Sequence, residues 1–199
     1  MIFRKLFTPL IALLFAVGTL SAQEVSLNLA PDFDILIDGD SNVRDWDANV
    51  TEVNAEFILN GYNFENLTDL RPEHFQRMIL RMPVEEIETD SRRLTRNLQD
   101  YLKGDDYPII TFELTQVNEV RMENGTALII ADGVITAAGQ SHNVTMNVTA
   151  ENSADGSILF SGAQELLMTD FGIDPPTAML GSIRARDEMT IYYKVRFTR

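Results

Sequence analysis

Thr89-Asp90-Ser91-Arg92-Arg93-Leu94-Thr95-Arg96-Asn97-Leu98-Gln99-Asp100-Tyr101-Leu102-Lys103-Gly104 runs directly into Asp105-Asp106-Tyr107-Pro108-Ile109-Ile110-Thr111-Phe112-Glu113-Leu114, and the hydrophobic period changes at the junction. In the first part Leu94, Leu98, Tyr101 and Leu102 fall at i, i+4, i+7 and i+8. That is the apolar stripe of an amphipathic helix, with Arg92 and Arg96 on the opposite side. Thr89 or Asp90 suits the cap of the first turn, and Gly104 suits a left-handed stop after Lys103. In the second part the period is two, with Ile110, Phe112 and Leu114 against Thr111 and Glu113. Pro108 stands at the strand's start, where a missing amide does least harm. No second helix offers the stripe a partner. It therefore has to cover the mouth or the side of a β structure.

Outward from this helix the alternation continues in both directions. Phe33, Ile35 and Ile37 mark a strand region over 31–37, Gly39-Asp40-Ser41-Asn42 a turn, and Val43 to Trp46 the approach to the next strand. Val53, Ala55, Phe57 and Leu59 alternate up to Asn60-Gly61, a hairpin pair. Met78, Leu80, Met82 and Val84 alternate with Ile79, Arg81 and Pro83, and Pro83 marks an edge or a bulge. After the helix, Ile110 to Val117 leads to a second turn at Asn124-Gly125. Leu128, Ile130 and Val134 follow, with Gly133 a bend, then Val144, Met146, Val148 and Ala150. Asp155-Gly156 turns the chain into Ile158 and Phe160, and Met189, Ile191, Tyr193, Val195 and Phe197 close it. About eight half-polar strands argue for an antiparallel sheet with one wet face. Such a sheet closes as a barrel or folds as a sandwich, and an eight-stranded barrel is either filled by side chains or holds one small ligand.

Residues 1–22 read as a secretory leader. Arg4 and Lys5 are basic, Leu10 to Val17 apolar, and Leu20-Ser21-Ala22 a small-residue cleavage site. The absence of cysteine excludes lipidation at a cysteine and leaves the fold without disulfides. The expected location is the periplasm or the exterior. The 199 residues carry a formal charge of −14, and loss of Arg4 and Lys5 makes the remainder more acidic still. Such a chain repels nucleic acid and anionic bilayers. Residues 23–199 suit one domain.

Several segments carry a resemblance to a known family. They are Gly39-Asp40-Ser41 with Trp46, Tyr107-Pro108-Ile109-Ile110-Thr111-Phe112 after a helix, Gly133 to Val144, and Thr169-Asp170-Phe171-Gly172-Ile173 with Asp187 before the last strand. In this order they resemble the YceI-like family across almost all of residues 23–199. The resemblance implies a mainly β fold, an eight-stranded antiparallel lipocalin-like barrel with one covering helix. It further implies export and a long apolar cavity that takes a polyisoprenoid or similar lipid tail. His142 stands where many relatives carry lysine, and the loop at Asp174-Pro175-Pro176 varies among them.

The inward phases supply Phe57, Met78, Leu80, Met82, Phe112, Leu114, Met146, Phe160, Met189, Ile191 and Tyr193. These could form an ordinary packed core. Four methionines on inward phases (Met78, Met82, Met146 and Met189) adapt to a floppy ligand better than they specify a unique core. With the resemblance added, the expectation is a lining for a long-chain isoprenoid or other apolar lipid. The helix and the Gly172–Gly181 loop would flank the entrance. Stable membrane insertion and nucleic-acid binding are not expected, and homodimerisation stays open.

Arg92, Arg93 and Arg96 could meet a phosphate head group, but a solvated helix face accounts for them. His74 and His142 show no metal-ligand spacing, and no Gly-x-Ser-x-Gly elbow or glycine-rich phosphate loop appears. No metal, cofactor or catalytic residue is therefore expected. Five Asn-x-Thr triplets, at Asn49, Asn66, Asn124, Asn143 and Asn147, read as polar strand and turn positions. An enzyme working on a lipid-like substrate in the same cavity is the alternative, with Tyr193 its one inward titratable group. A structural protein with a filled core is a third reading.

Overall fold

The computed structural model describes residues 24–62 and 66–199; the leader expected over residues 1–22 lies outside the described residues. Eight antiparallel strands close a barrel in chain order, and the first three are each broken once. Strand β1 is Glu24–Leu29 continued by Asp34–Ser41, because both pieces lie along one strand, β8 (Ile183–Thr198). Leu29 is opposite Phe197, Ile35 opposite Tyr193 and Ser41 opposite Ala185. Strand β2 is Trp46–Val50 continued by Asn54–Asn60, with Asn49 opposite Leu36 and Phe57 opposite Leu27 of β1. Strand β3 is Phe75–Pro83 continued by Ile87–Glu88, with Leu80 opposite Ala55 and Glu88 opposite Asn49.

The remaining strands are unbroken. They are β4 (Ile109–Glu123), β5 (Thr126–Ala137), β6 (Gln140–Asn152) and β7 (Ile158–Leu167), and β7 pairs with β8 to complete the ring. The one α-helix among the described residues, α1 (Arg92–Tyr101), sits between β3 and β4.

The breaks have local causes. Pro31 and Pro83 cannot donate to a ladder. After Pro83 the chain turns through Val84–Glu86, and the Val84 amide donates instead to the Pro108 carbonyl at 2.8 Å. Asn124-Gly125 makes the tight β4–β5 turn, both residues at positive φ (50° and 89°). Asn60-Gly61 does not make such a turn. Gly61 does have φ 70°, but β3 starts only at Phe75. Tyr62, Leu67 and Leu70 of this longer connection are buried at 4%, 1% and 1% exposure and close one end of the barrel.

Further details differ from the sequence-based expectation. The left-handed residue after α1 is Lys103 (φ 54°), not Gly104. Gly104 serves close packing, since a Cβ there would lie 2.9 Å from Val84 Cγ1. Thr89 does not cap the helix directly either. Ser91 occupies the cap position without a side-chain hydrogen bond to the first turn, and Thr89 holds the approach by accepting from the Ser91 amide (3.2 Å) and donating its own amide to Thr95 Oγ1 (2.9 Å). On β5 the inward phase is Ala127, Ile129, Ala131, Gly133 and Ala137, buried at 0–6% where hydrophobic, whereas Leu128, Ile130 and Val134 are half-buried on the other face. The irregularity expected at Gly133 lies across from it, as a bulge on β4 between Leu114 and Gln116.

Candidate functional site

The inward faces do not meet in the middle of the barrel. They leave two apolar hollows of about 330 and 130 Å³, end to end. Ile37, Ile110, Ile135 and Ile191 line both and form a collar between them. The inner hollow holds Met78, Leu80, Met82, Phe112, Leu114, Met146, Phe160, Ile191 and Tyr193 of the expected lining. Met189 lines the outer hollow. Phe57 lines neither. It is fully buried in an aromatic cluster, 4.9 Å centroid to centroid from Phe197, 5.6 Å from Phe160 and 6.0 Å from Phe75. Phe75 and Phe160 of this cluster also line the inner hollow, and Phe57 joins them to the core that includes Leu67 and Leu70.

Glycines give the large rings their seats. Gly39, Gly133 and Gly162 present bare backbone to Trp46, Phe112 and Tyr193, and a Cβ at any of them would collide with the ring above it. Gly39–Trp46 and Gly162–Tyr193 are direct cross-strand pairs, so ring and glycine share an inward face. Trp46 Nε1 and Tyr193 Oη are both buried with no hydrogen-bond partner among the described residues. Burial alone pushes the Tyr193 phenol up to about 12, so it stays neutral and protonated.

The outer hollow opens between three elements. Helix α1 hangs over it, with Leu94, Leu98 and Tyr101 on the lining and none of its own residues fully buried. Only Leu102, just past its end, is seated in the core. The stripe found in the sequence thus faces the hollow along Leu94, Leu98 and Tyr101 and is anchored in the core through Leu102. Gln99 holds the helix to the break in β3 and its continuation by donating to the carbonyls of Glu85 (3.0 Å) and Ile87 (3.3 Å). The β1–β2 turn supplies Ser41, Val43, Arg44 and Trp46. The β7–β8 connection supplies Met168, Phe171, Ile173, Pro176 and Thr177.

These rim segments are fastened to one another. The Asn42 carboxamide donates to the Ser182 carbonyl at 2.9 Å and accepts from the Arg184 amide at 2.8 Å. Asp187 accepts from the amide and the hydroxyl of Thr169 at 2.9 and 2.6 Å. The Thr169 to Ile173 motif is therefore a structural clamp on the rim. His142 Nε2 lies 3.6 Å from Asp170 Oδ2, edge-on to Phe171. His74 is in the closed-end connection, its Nδ1 accepting from the Arg71 amide at 3.0 Å. The two histidines thus have separate local partners. Arg92, Arg93 and Arg96 are exposed on the outer side of α1.

Sequence reasoning missed Trp46, Ile129, Ile135, Leu166 and Phe171 as lining residues. Trp46 is opposite Gly39, whose bare backbone leaves room for the indole. Ile129 and Ile135 were hidden by the phase error on β5.

A closed eight-stranded barrel with an internal apolar hollow and a helix over its mouth defines a class of small-molecule-holding β-barrels. The YceI-like domain matches residues 32–197, and the chain belongs to that family. Among solved structures, the polyisoprenoid-binding domain of Saccharophagus degradans aligns with a TM-score of 0.64 at 8% identity, over 88% of this chain and 98% of that one. BcnA of Burkholderia cenocepacia aligns at 0.63 with 13% identity, over 86% and 100%. The YceI protein of Campylobacter jejuni aligns at 0.56 with 18% identity, over 76% and 84%. No curated relative matches in sequence.

Proposed function

We propose that this protein is an exported carrier or store that holds one long apolar tail, of polyisoprenoid type, along the axis of its barrel. The observation that carries the reading is the pair of hollows joined through the four-isoleucine collar. Along β8 their lining runs from Ile183 to Val195. Allowing for the irregularity between Ala185 and Met189, that is roughly 35 Å of strand, or about 25 Å along the axis at ordinary barrel tilt. Such a path is longer than the ~15 Å half-thickness of a bilayer core. The volumes are small for that length. A single extended chain fits the shape better than a two-tailed lipid does.

The S. degradans relative is described as a polyisoprenoid-binding domain, which agrees in ligand class. Apolar contact suffices for affinity: at about 0.3 kcal/mol per heavy atom, the ~25 carbons of isoprenoid that such a path holds reach roughly 7–8 kcal/mol, in the micromolar range. Binding is preferred to catalysis because the inner lining offers no charged group. Its one titratable side chain is a phenol that burial holds neutral. The filled-core alternative loses its ground to the hollows.

The test is native mass spectrometry on gently purified protein and on protein mixed with a long prenol, with Trp46 fluorescence as a second readout because its indole lines the outer hollow. A one-to-one adduct of lipid mass and a change in Trp46 emission are expected. A protein that is empty as purified and takes up no prenol refutes the reading.

A further inference from the structure

The large apolar side chains that stand exposed on this barrel are gathered at one end. Among the described residues there are seven, and Val43, Tyr101, Tyr107, Ile109, Leu167 and Leu180 all belong to the open end. Val43 and Tyr101 line the outer hollow itself, while Ile109 and Leu167 are end residues of β4 and β7, each next to a lining residue. Tyr107 lies over Gly139 in the β5–β6 turn. Leu180, in the β7–β8 connection, is fully exposed and lines neither hollow. The seventh, Tyr192, is on the outer wall opposite Leu36 and Ala163. Exposed apolar residues scattered singly need no explanation, but a ring of them around one opening does. Val43 and Leu180 stand on two segments bonded to each other through Asn42. Helix α1 adds Arg92, Arg93 and Arg96 against Asp100, a local excess of positive charge on an acidic chain.

We propose that this rim docks on the surface of a phospholipid bilayer, with Leu180, Val43 and Tyr101 entering the head-group layer. The proposal rests on the lipid-holding reading and adds the step by which the ligand enters and leaves. A chain of the length the hollows take does not cross water readily, because each methylene exposed on the way is unfavourable. Its source and its destination must therefore meet the mouth directly. Aliphatic and tyrosine side chains around the opening suit the boundary between head groups and acyl chains, and the arginines of α1 suit lipid phosphates. A fluid bilayer accommodates apolar knobs on separate segments without the shape complementarity that a protein partner needs. The formal charge of −14 opposes a strongly anionic surface, so the bilayer is a predominantly zwitterionic one.

The experiment uses phosphatidylcholine vesicles and two added indoles, Leu180→Trp on the rim and Ala154→Trp in the β6–β7 turn at the closed end. Empty vesicles should shift the emission of Leu180→Trp to shorter wavelength and leave Ala154→Trp and the wild type unchanged. Leu180→Asn suits the left-handed backbone at this position (φ 56°) and removes the apolar side chain. It should take up geranylgeraniol from loaded vesicles about fivefold more slowly than the wild type, read by Trp46 emission. Its affinity for geranylgeraniol added without vesicles should equal that of the wild type, because Leu180 lies outside the lining. No shift in Leu180→Trp, an equal shift in Ala154→Trp, or an unchanged uptake rate in Leu180→Asn overturns the proposal. So does a wild-type dimer that Leu180→Asn dissociates, which makes a second copy the occupant. In those cases binding of geranylgeraniol still supports the lipid-holding reading. A wild type that takes up no geranylgeraniol, with or without vesicles, overturns that reading and the transfer with it.

Discussion

Replacing Phe57 by alanine separates the closed end of the barrel from its hollow. The ring is fully buried and touches three other aromatic rings, at centroid distances of 4.9, 5.6 and 6.0 Å. Truncation of a phenylalanine in such surroundings costs about 3–5 kcal/mol, from lost transfer free energy and the cavity left behind. The edge-to-face contacts with Phe197 and Phe160 place this site towards the upper end of that range. For a domain of this size each kcal/mol moves the melting temperature by about 2–4 °C, so a fall of about 6–20 °C is expected. Met78→Ala is the control. Its side chain already borders empty space, so its removal should cost less than about 2 kcal/mol. The assay is thermal denaturation of the ligand-free protein followed by circular dichroism. If Phe57→Ala melts within about 3 °C of the wild type, or Met78→Ala falls further than Phe57→Ala, the division into solid plug and open hollow is wrong.

Three other perturbations read the same architecture. Ile191→Trp puts a larger ring into the collar. It should abolish uptake of long prenols while costing the empty protein less than the ~1–3 kcal/mol typical of overpacking, which denaturant titration measures. Gly39→Ala forces Trp46 from its seat, so a shift of tryptophan emission together with a loss of about 1–3 kcal/mol is expected; unchanged emission would contradict the packing. Burial raises Tyr193 and Tyr62 to about 12, with Asp69 adding to the effect at Tyr62. Because the folded state holds these protons more tightly than the unfolded one, their contribution is intact below about pH 10 and is lost as pH rises towards 12. The loss is on the order of 2 kcal/mol for Tyr193, and Tyr193→Phe should remove that part from a pH series of denaturation midpoints.

What could be read from the chain alone follows from where its physics is local. The period switch between Leu102 and Ile110 and the alternation in Val144 to Ala150 need no partner to be visible, and they yielded the helix and the eight-strand count. The failures occur where a neighbouring strand decides. On β5 the bulky Leu128, Ile130 and Val134 look like the buried set, yet Ala127, Ala131 and Gly133 face inward, because Phe112 lies over Gly133 from β4. The bulge after Leu114 then brings Val117 inward instead of Gln116, a reversal that no pattern within β4 announces. Asn60-Gly61 has the chemistry of a tight turn, but the barrel's end needs closing, and Tyr62, Leu67 and Leu70 are spent on that.

The same reasoning explains why the lining was partly legible and its emptiness was not. Periodicity says which way a side chain points. Whether facing side chains touch depends on the circumference of the closed ring, and strand count and stagger set that. Glycines at 39, 133 and 162 let Trp46, Phe112 and Tyr193 approach the backbone of the wall closely, and a row of small residues along β5 does the rest. The hollow is therefore made by what the inward positions lack. Adding a single methyl at one of those glycines changes its shape more than trimming most of the large residues around it.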